Sequence, residues 1–133
     1  MNLEILKIAS DTTNLKNLNN YTHKGKCKNS VCGDEMVIKI RLRKNKIEDL
    51  GYNDRSCVYC QASASLISKY FKKKDLMKIK KVIRDINYFY QGKDITLDRN
   101  LKKIFNEKNL NRKECIYLPI KTFFNALKFN SNR

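Results

Sequence analysis

With 133 residues, 41% of them hydrophobic and including six Phe and seven Tyr, the chain has the length of one compact domain over residues 1–133 and enough apolar mass for a core, which excludes a disordered basic tail. A formal net charge of +16 points to a polyanion or an acidic protein surface as partner, although abundant Asn and Ile accompany the Lys and all three have A/T-rich codons, so base composition accounts for part of it. Five cysteines, an odd number, and a start (Met1-Asn2-Leu3-Glu4) with neither a basic leader nor a long apolar run predict reduced thiols in a soluble cytoplasmic protein without a membrane span.

Leu3, Leu6 and Ile8 with Ala9 predict a short amphipathic helix, ended by Asp-Thr-Thr-Asn at 11–14, where side chains compete for backbone bonds. The polar stretch 16–30, with Gly25, reads as a loop leading to Cys32-Gly33-Asp34. From Met36 the pattern alternates strictly, Ile38, Ile40 and Leu42 on one face and Lys39, Arg41 and Arg43 on the other, which is a half-buried strand. Lys44-Asn45-Lys46 supplies a turn, and Ile47 to Tyr52 returns as an antiparallel partner despite Gly51 and two acids.

After Cys57, Val58 to Lys72 places Tyr59, Ala62, Leu66 and Tyr70 at helical spacing, with Asp54 and Ser56 as cap types before it. Lys72, Lys73 and Lys74 form a solvated junction. Leu76, Ile79, Ile83, Ile86 and Tyr90 then step as a helix does, and Gln91-Gly92 ends the run. Thr96 is read as the cap of a helix carrying Leu97, Leu101, Ile104 and Phe105. Ile120, Phe123, Phe124 and Leu127 predict a last helix, with Pro119 confined to its first turn.

Soft thiolates suit zinc and iron-sulfur clusters, and four groups stand where such chemistry can be mounted: Cys32 and Asp34 astride Gly33, Cys57 at a helix start, and Cys115 ahead of the last helix. A helix N-terminus favours the thiolate, which suits Cys57. A single free Cys is often only a small buried hydrophobe, but placement at element boundaries favours a ligand role for these three. Cys57-Val58-Tyr59-Cys60 is also a Cys-x-x-Cys, yet the β-α-β pattern of a thioredoxin-like redox pair is missing. Cys27 reads as an incidental loop thiol. His23, the sole histidine, reads as an exposed loop residue, and no serine sits in a nucleophile elbow for it to serve.

Asn29-Ser30-Val31-Cys32-Gly33-Asp34 resembles the Asn-Pro-x-Cys-Gly-Asp signature of the NifU/IscU/SufU scaffold family. Tyr52 to Ser65 is similar to that family's aromatic, Gly-x-Gly-Cys and Ala-Ser-x-Ser helix start, and Arg112 to Pro119 resembles its third cysteine motif. The strong likeness spans residues 29–70, a weaker one 112–127. The sequence departs from it at Glu114, where IscU-type members have histidine, and at Asp54 and Ser56, which replace two glycines. Leu118-Pro119-Ile120-Lys121 follows the third cysteine, so it is not the Leu-Pro-Pro-Val-Lys chaperone motif of IscU-type scaffolds. Cys60 falls at a position the family fills with Ser or Gly.

The resemblance implies an α+β fold, a small antiparallel sheet packed against helices, with Cys32, Asp34, Cys57 and Cys115 meeting at one exposed end. It implies a scaffold rather than an enzyme: a cysteine desulfurase delivers sulfur to Cys57 or Cys115, iron joins it, a [2Fe-2S] cluster forms, and recipient apoproteins take it. The alternative is a zinc-bound sulfur acceptor that activates a desulfurase through the same four residues. A basic nucleic-acid binder using Tyr88-Phe89-Tyr90 is the weakest reading, because helical periodicity already assigns Tyr90 to the core.

Overall fold

The structure is a computed structural model that describes residues 3–128; Met1 and Asn2, on which the reading of the N-terminal start partly rests, lie outside the described residues. The alternating run forms the central strand β2 (Glu35–Arg43), with Met36, Ile38 and Ile40 fully buried on one face. Lys44 and Asn45, both left-handed at φ 52° and 63°, return the chain into β3 (Lys46–Arg55), a two-residue turn whose twist suits a hairpin. Glu48 and Asp49 of β3 are accommodated by cations. Glu48 accepts from Arg41 at 2.8 Å, and Asp49 meets Lys72 at 3.0 Å and Lys16 at 3.2 Å. Burial raises the Asp49 pKa, but Lys72, the Leu50 N–H and Lys16 together hold it down to about 2.

A third strand, β1 (His23–Lys28), occupies part of the stretch expected to be loop, and pairs antiparallel with β2, Cys27 opposite Met36. The sheet order is β1-β2-β3. No apolar alternation announces β1, because its inward positions are His23, Gly25 and Cys27. Gly25 is there for close approach: a Cβ would lie 2.6 Å from the Thr122 carbonyl and 2.7 Å from the Ala126 Cβ of the last helix, α4 (Lys113–Leu127). Gly25→Ala is therefore expected to destabilise the fold by about 1–3 kcal/mol through overpacking, read as a lower urea midpoint at unchanged slope. An unchanged midpoint would show that α4 does not sit on β1 in solution.

Helix α1 (Leu3–Ala9) forms as expected but buries Ile5; Leu3 points outward at 79% exposure. It packs on α2 (Val58–Phe71), whose inner face is Cys60, Ala64, Ile67 and Phe71, while the expected stripe members Tyr59, Leu66 and Tyr70 are only half-buried. Ser63, buried between α2 and α4, donates to the Ile116 carbonyl at 2.6 Å. Helix α3 (Leu76–Tyr90) is capped by Asp75, which accepts from the Lys78 N–H, and is followed by left-handed Gly92.

The helix expected after Thr96 does not form. Two short 3₁₀ turns, Leu101–Lys103 and Glu107–Arg112, stand there, because Asp98 takes the Asn100 N–H at 2.8 Å and Asn106 donates to the Lys102 carbonyl at 2.7 Å. Leu97, Leu101, Ile104 and Phe105 are nevertheless all buried, so their spacing signalled burial rather than a helix. Helix α4 begins six residues before Pro119, correcting the expectation that the proline lies in its first turn. Pro119 is buried, and having no N–H it gives the Cys115 carbonyl four residues back no i→i−4 bond. Phe71 and Phe123 meet edge to face at 5.0 Å, joining α2 and α4 over the buried face of the sheet. The result is the expected α+β class: among the described residues, a three-stranded antiparallel sheet with four α-helices.

Candidate metal centre

Three segments deliver the thiols. The β1–β2 loop is closed on itself: the Asn29 N–H donates to the Asp34 carbonyl at 2.7 Å, the Gly33 N–H to the Asn29 carbonyl at 2.8 Å, and the Val31 N–H to Asn29 Oδ1 at 2.9 Å. Gly33 sits at φ 78°, a left-handed position that suits glycine, and it turns the chain so that Cys32 and Asp34 flank the tip. The β3–α2 junction carries Cys57 as the N-cap of α2, in extended conformation with no side-chain cap bond. Asp54 and Ser56 make this junction tight: β3 runs on to Arg55, and the Ser56 hydroxyl donates to Asp54 at 2.7 Å. Cys115 is the third residue of α4, inside its first turn rather than ahead of it as expected.

The ligand atoms of Cys32, Asp34 and Cys115 lie within 4.8 Å of one another, and the two sulfurs are 3.9 Å apart. Cys57 is not part of that tight group. Its backbone N–H donates to Asp34 Oδ1 at 3.3 Å, and its thiol is one of the groups that raise the Cys115 pKa, after burial and ahead of Cys32. Among the described residues no other group of three or more His, Cys, Asp or Glu is gathered this closely.

Asp34 differs from expectation in burial. Its exposure is only 7%, because the Asn29–Asp34 loop folds back against the start of α2, and its second oxygen, Oδ2, is buried without a hydrogen-bond partner. An orphaned carboxylate oxygen beside two thiols is a donor set that fits a soft or borderline metal. Cys115 is half-buried and Cys32 exposed, so the group opens to solvent on one side.

The other sulfurs stand apart. Cys60 is fully buried one turn along α2, and burial pushes its pKa up to about 12, as suits an inert core thiol. Cys27 is half-buried on β1 and lies outside the three-residue group. His23 begins a strand rather than sitting in a loop, and its Nδ1 pairs with the Thr22 hydroxyl at 2.8 Å. It faces Ile40, five residues up the ladder from the Lys28–Glu35 pair beside the cysteine loop, about 17 Å away along the strand. Two features beside the thiols carried no signal in the sequence. Arg112 stacks over the Tyr59 ring at 4.9 Å, bridging the starts of α4 and α2, and Gln61 Nε2 donates to the Ser56 carbonyl at 3.0 Å.

A sequence profile of the NifU-like N-terminal domain matches residues 2–96. The chain belongs to that family. The matched span contains Cys32, Asp34 and Cys57; Cys115 lies beyond it and is brought to them by α4. An uncharacterized protein of Borreliella burgdorferi is 30% identical over 129 residues, covering 92% of this chain and 90% of its own. An iron-sulfur cluster assembly scaffold protein IscU of Archaeoglobus fulgidus is 35% identical over 57 residues, 43% of this chain and 37% of its own length. Two solved structures share the fold of this NifU-like chain. One, assigned as an iron-sulfur cluster assembly scaffold protein for the SUF system of Fervidobacterium islandicum, has a TM-score of 0.84 at 22% identity over 96% of both chains. The other, a NifU-like protein N-terminal domain from Brucella abortus, has a TM-score of 0.84 at 14% identity over 96% of this chain and 91% of its own. Among the described residues no helix is long and apolar enough to cross a membrane.

Proposed function

We propose that the chain is an iron-sulfur cluster assembly scaffold that builds a [2Fe-2S] cluster on Cys32, Cys57, Cys115 and Asp34 and hands it to recipient apoproteins. The observation that carries this reading is the convergence of Cys32, Asp34 and Cys115 within 4.8 Å from separate segments, with an unpartnered carboxylate oxygen among them. Cys57 completes the set: its backbone is bonded to Asp34, and its thiol already acts on Cys115. Sulfur reaches Cys115 or Cys57 as a persulfide from a cysteine desulfurase. Two electrons from an external thiol or electron-transfer protein then reduce the sulfane sulfur to sulfide, which iron captures.

Three thiolates grip the iron, and the harder carboxylate forms the weakest bond, so the cluster is held firmly enough to form and loosely enough to leave. Anaerobic reconstitution with iron, cysteine and a desulfurase tests the reading. The expected product shows visible sulfur-to-iron charge-transfer absorption with equimolar iron and acid-labile sulfide. Zinc retained through the procedure, with no cluster formed, would overturn it in favour of a zinc-bound sulfur acceptor.

A further inference from the structure

Helix α3 presents its far side to solvent, and between it and α4 lies a groove of about 1010 Å³. The two helices are joined across it by side chains, the Tyr117 hydroxyl bonded to Asn87 and the Tyr90 and Tyr117 rings 5.9 Å apart. Its floor is apolar, with Ile83, Tyr117 and Phe124, and Met77 stands at one end with 84% exposure. Its rim carries Lys78, Lys80, Lys81, Arg84 and Lys121 beside the neutral Asn87, Gln91 and Asn125, and among the described residues no carboxylate lines it. Asp85, below the rim, bonds Lys81 at 2.9 Å and lies 3.6 Å from Arg84, and Lys78 and Lys121 add further positive charge there.

We propose that this groove docks an acidic amphipathic helix of a protein partner. Length supports it: residues 77 to 90 span about 20 Å of α3 at 1.5 Å per residue, room for roughly thirteen residues of a second helix. An apolar floor under a basic rim matches a helix with one apolar and one acidic face, the apolar side providing affinity and the charges speeding encounter and setting orientation. Among the described residues the groove offers no sheet edge, and α3 satisfies its own backbone, so an occupant that satisfies its own as a helix does fits it best. A second copy of this chain would bring another cationic rim against the first. A bilayer surface would meet the rim and miss the floor, and a nucleic acid would leave the floor and Met77 unused.

The hollow continues past Tyr117 to Lys113 and Glu114, which directly precede Cys115, so a docked helix would hold its own protein beside the thiol end of the molecule. This proposal stands apart from the cluster reading, since it requires no metal.

The test uses the full chain and fluorescence anisotropy with a labelled sixteen-residue synthetic peptide, Leu at i, i+3, i+4 and i+7 spacing and Glu elsewhere. Controls are a scrambled peptide of the same composition and a single-stranded RNA of equal charge. The patterned peptide is expected to bind saturably and at least tenfold more tightly than the scrambled one. The double substitution Lys80→Glu with Lys121→Glu should weaken it tenfold or more, and Lys24→Glu with Lys102→Glu, equal in charge but elsewhere, should not. Met77→Ser, at a site too exposed to affect folding, should weaken it severalfold. No saturable binding, equal binding of the scrambled peptide, indifference to the Lys80 and Lys121 reversals, or tighter binding of RNA lost on those same reversals would each overturn the proposal.

Discussion

Replacing Cys32, Cys57 or Cys115 with Ser is expected to abolish stable retention of a cluster or of zinc, while Cys27→Ser and Cys60→Ser leave it intact. A four-donor site holds a structural zinc by about 10–16 kcal/mol, so each donor represents roughly 2.5–4 kcal/mol, about two to three orders of magnitude in affinity. A hydroxyl is a harder and weaker donor, and nothing nearby replaces the lost sulfur, because Cys60 is fully buried with its pKa pushed up to about 12. Melting and metal content should separate in these variants. Cys60→Ser places a hydroxyl in the core and should cost about 1–3 kcal/mol of stability without emptying the site. Cys32→Ser, at an exposed loop tip, should empty the site with little change in the melting temperature of the metal-free protein. If folded Cys60→Ser protein lost its metal as completely as Cys57→Ser, the ligand set would be wrong. Cys57 is the sharpest of these tests, since its sulfur stands outside the tight group and only its backbone is bonded to Asp34.

The parts of the fold legible in the sequence are those in which burial follows a regular period in apolar residues. Strand β2 and helix α3 are read correctly because Met36, Ile38 and Ile40, and Ile79, Ile83 and Ile86, repeat at the spacing of their element and lie in the core. Strand β1 is illegible for the opposite reason. The helix crossing it demands a glycine at its one fully enclosed position, so the alternation His23, Gly25, Cys27 carries no hydrophobic signal. Leu97 to Phe105 shows the converse error, a helical spacing of buried residues on a chain whose Asp98 and Asn106 take the backbone groups a helix would need.

At the centre, local motifs reveal the loop around Gly33 and the start of α2, because each depends on a few adjacent residues. The approach of Cys115 to Cys32 depends on how α4 lies across the sheet, a long-range arrangement that no local pattern encodes. The same holds for the Arg112–Tyr59 stack and for the enclosure of Asp34, which the sequence places at an open loop mouth.

Asp34→Ala is expected to lengthen the life of a bound cluster and slow its transfer, while making the metal-free protein more stable. In the absence of metal, Oδ1 accepts one N–H bond from Cys57 at 3.3 Å, and Oδ2 is buried with no partner. An unmet buried polar atom costs about 1–3 kcal/mol, more when charged, and one weak bond does not offset it. Removing the carboxylate deletes that penalty, so the metal-free Asp34→Ala protein should melt higher than the parent. Asp34→Asn keeps an acceptor for the Cys57 N–H but leaves a buried amide in place of the carboxylate, so it should gain less. On the proposed ligand set, the carboxylate would be the donor that gives way when a recipient thiol attacks, since oxygen binds iron less tightly than sulfur does. Its loss takes away the guided exchange position and leaves the three thiolates holding the cluster. Transfer to a recipient apoprotein, followed by the decay of visible absorption, should then slow in Asp34→Ala, and the spontaneous loss of cluster should slow with it. A turn-forming role predicts the reverse pattern: a lower melting temperature in Asp34→Ala, restored by Asp34→Asn, with cluster lifetime following the parent in both. Unchanged lifetime and transfer rate in a folded Asp34→Ala protein would remove Asp34 from the ligand set, leaving the three cysteines and an exogenous donor to hold the cluster.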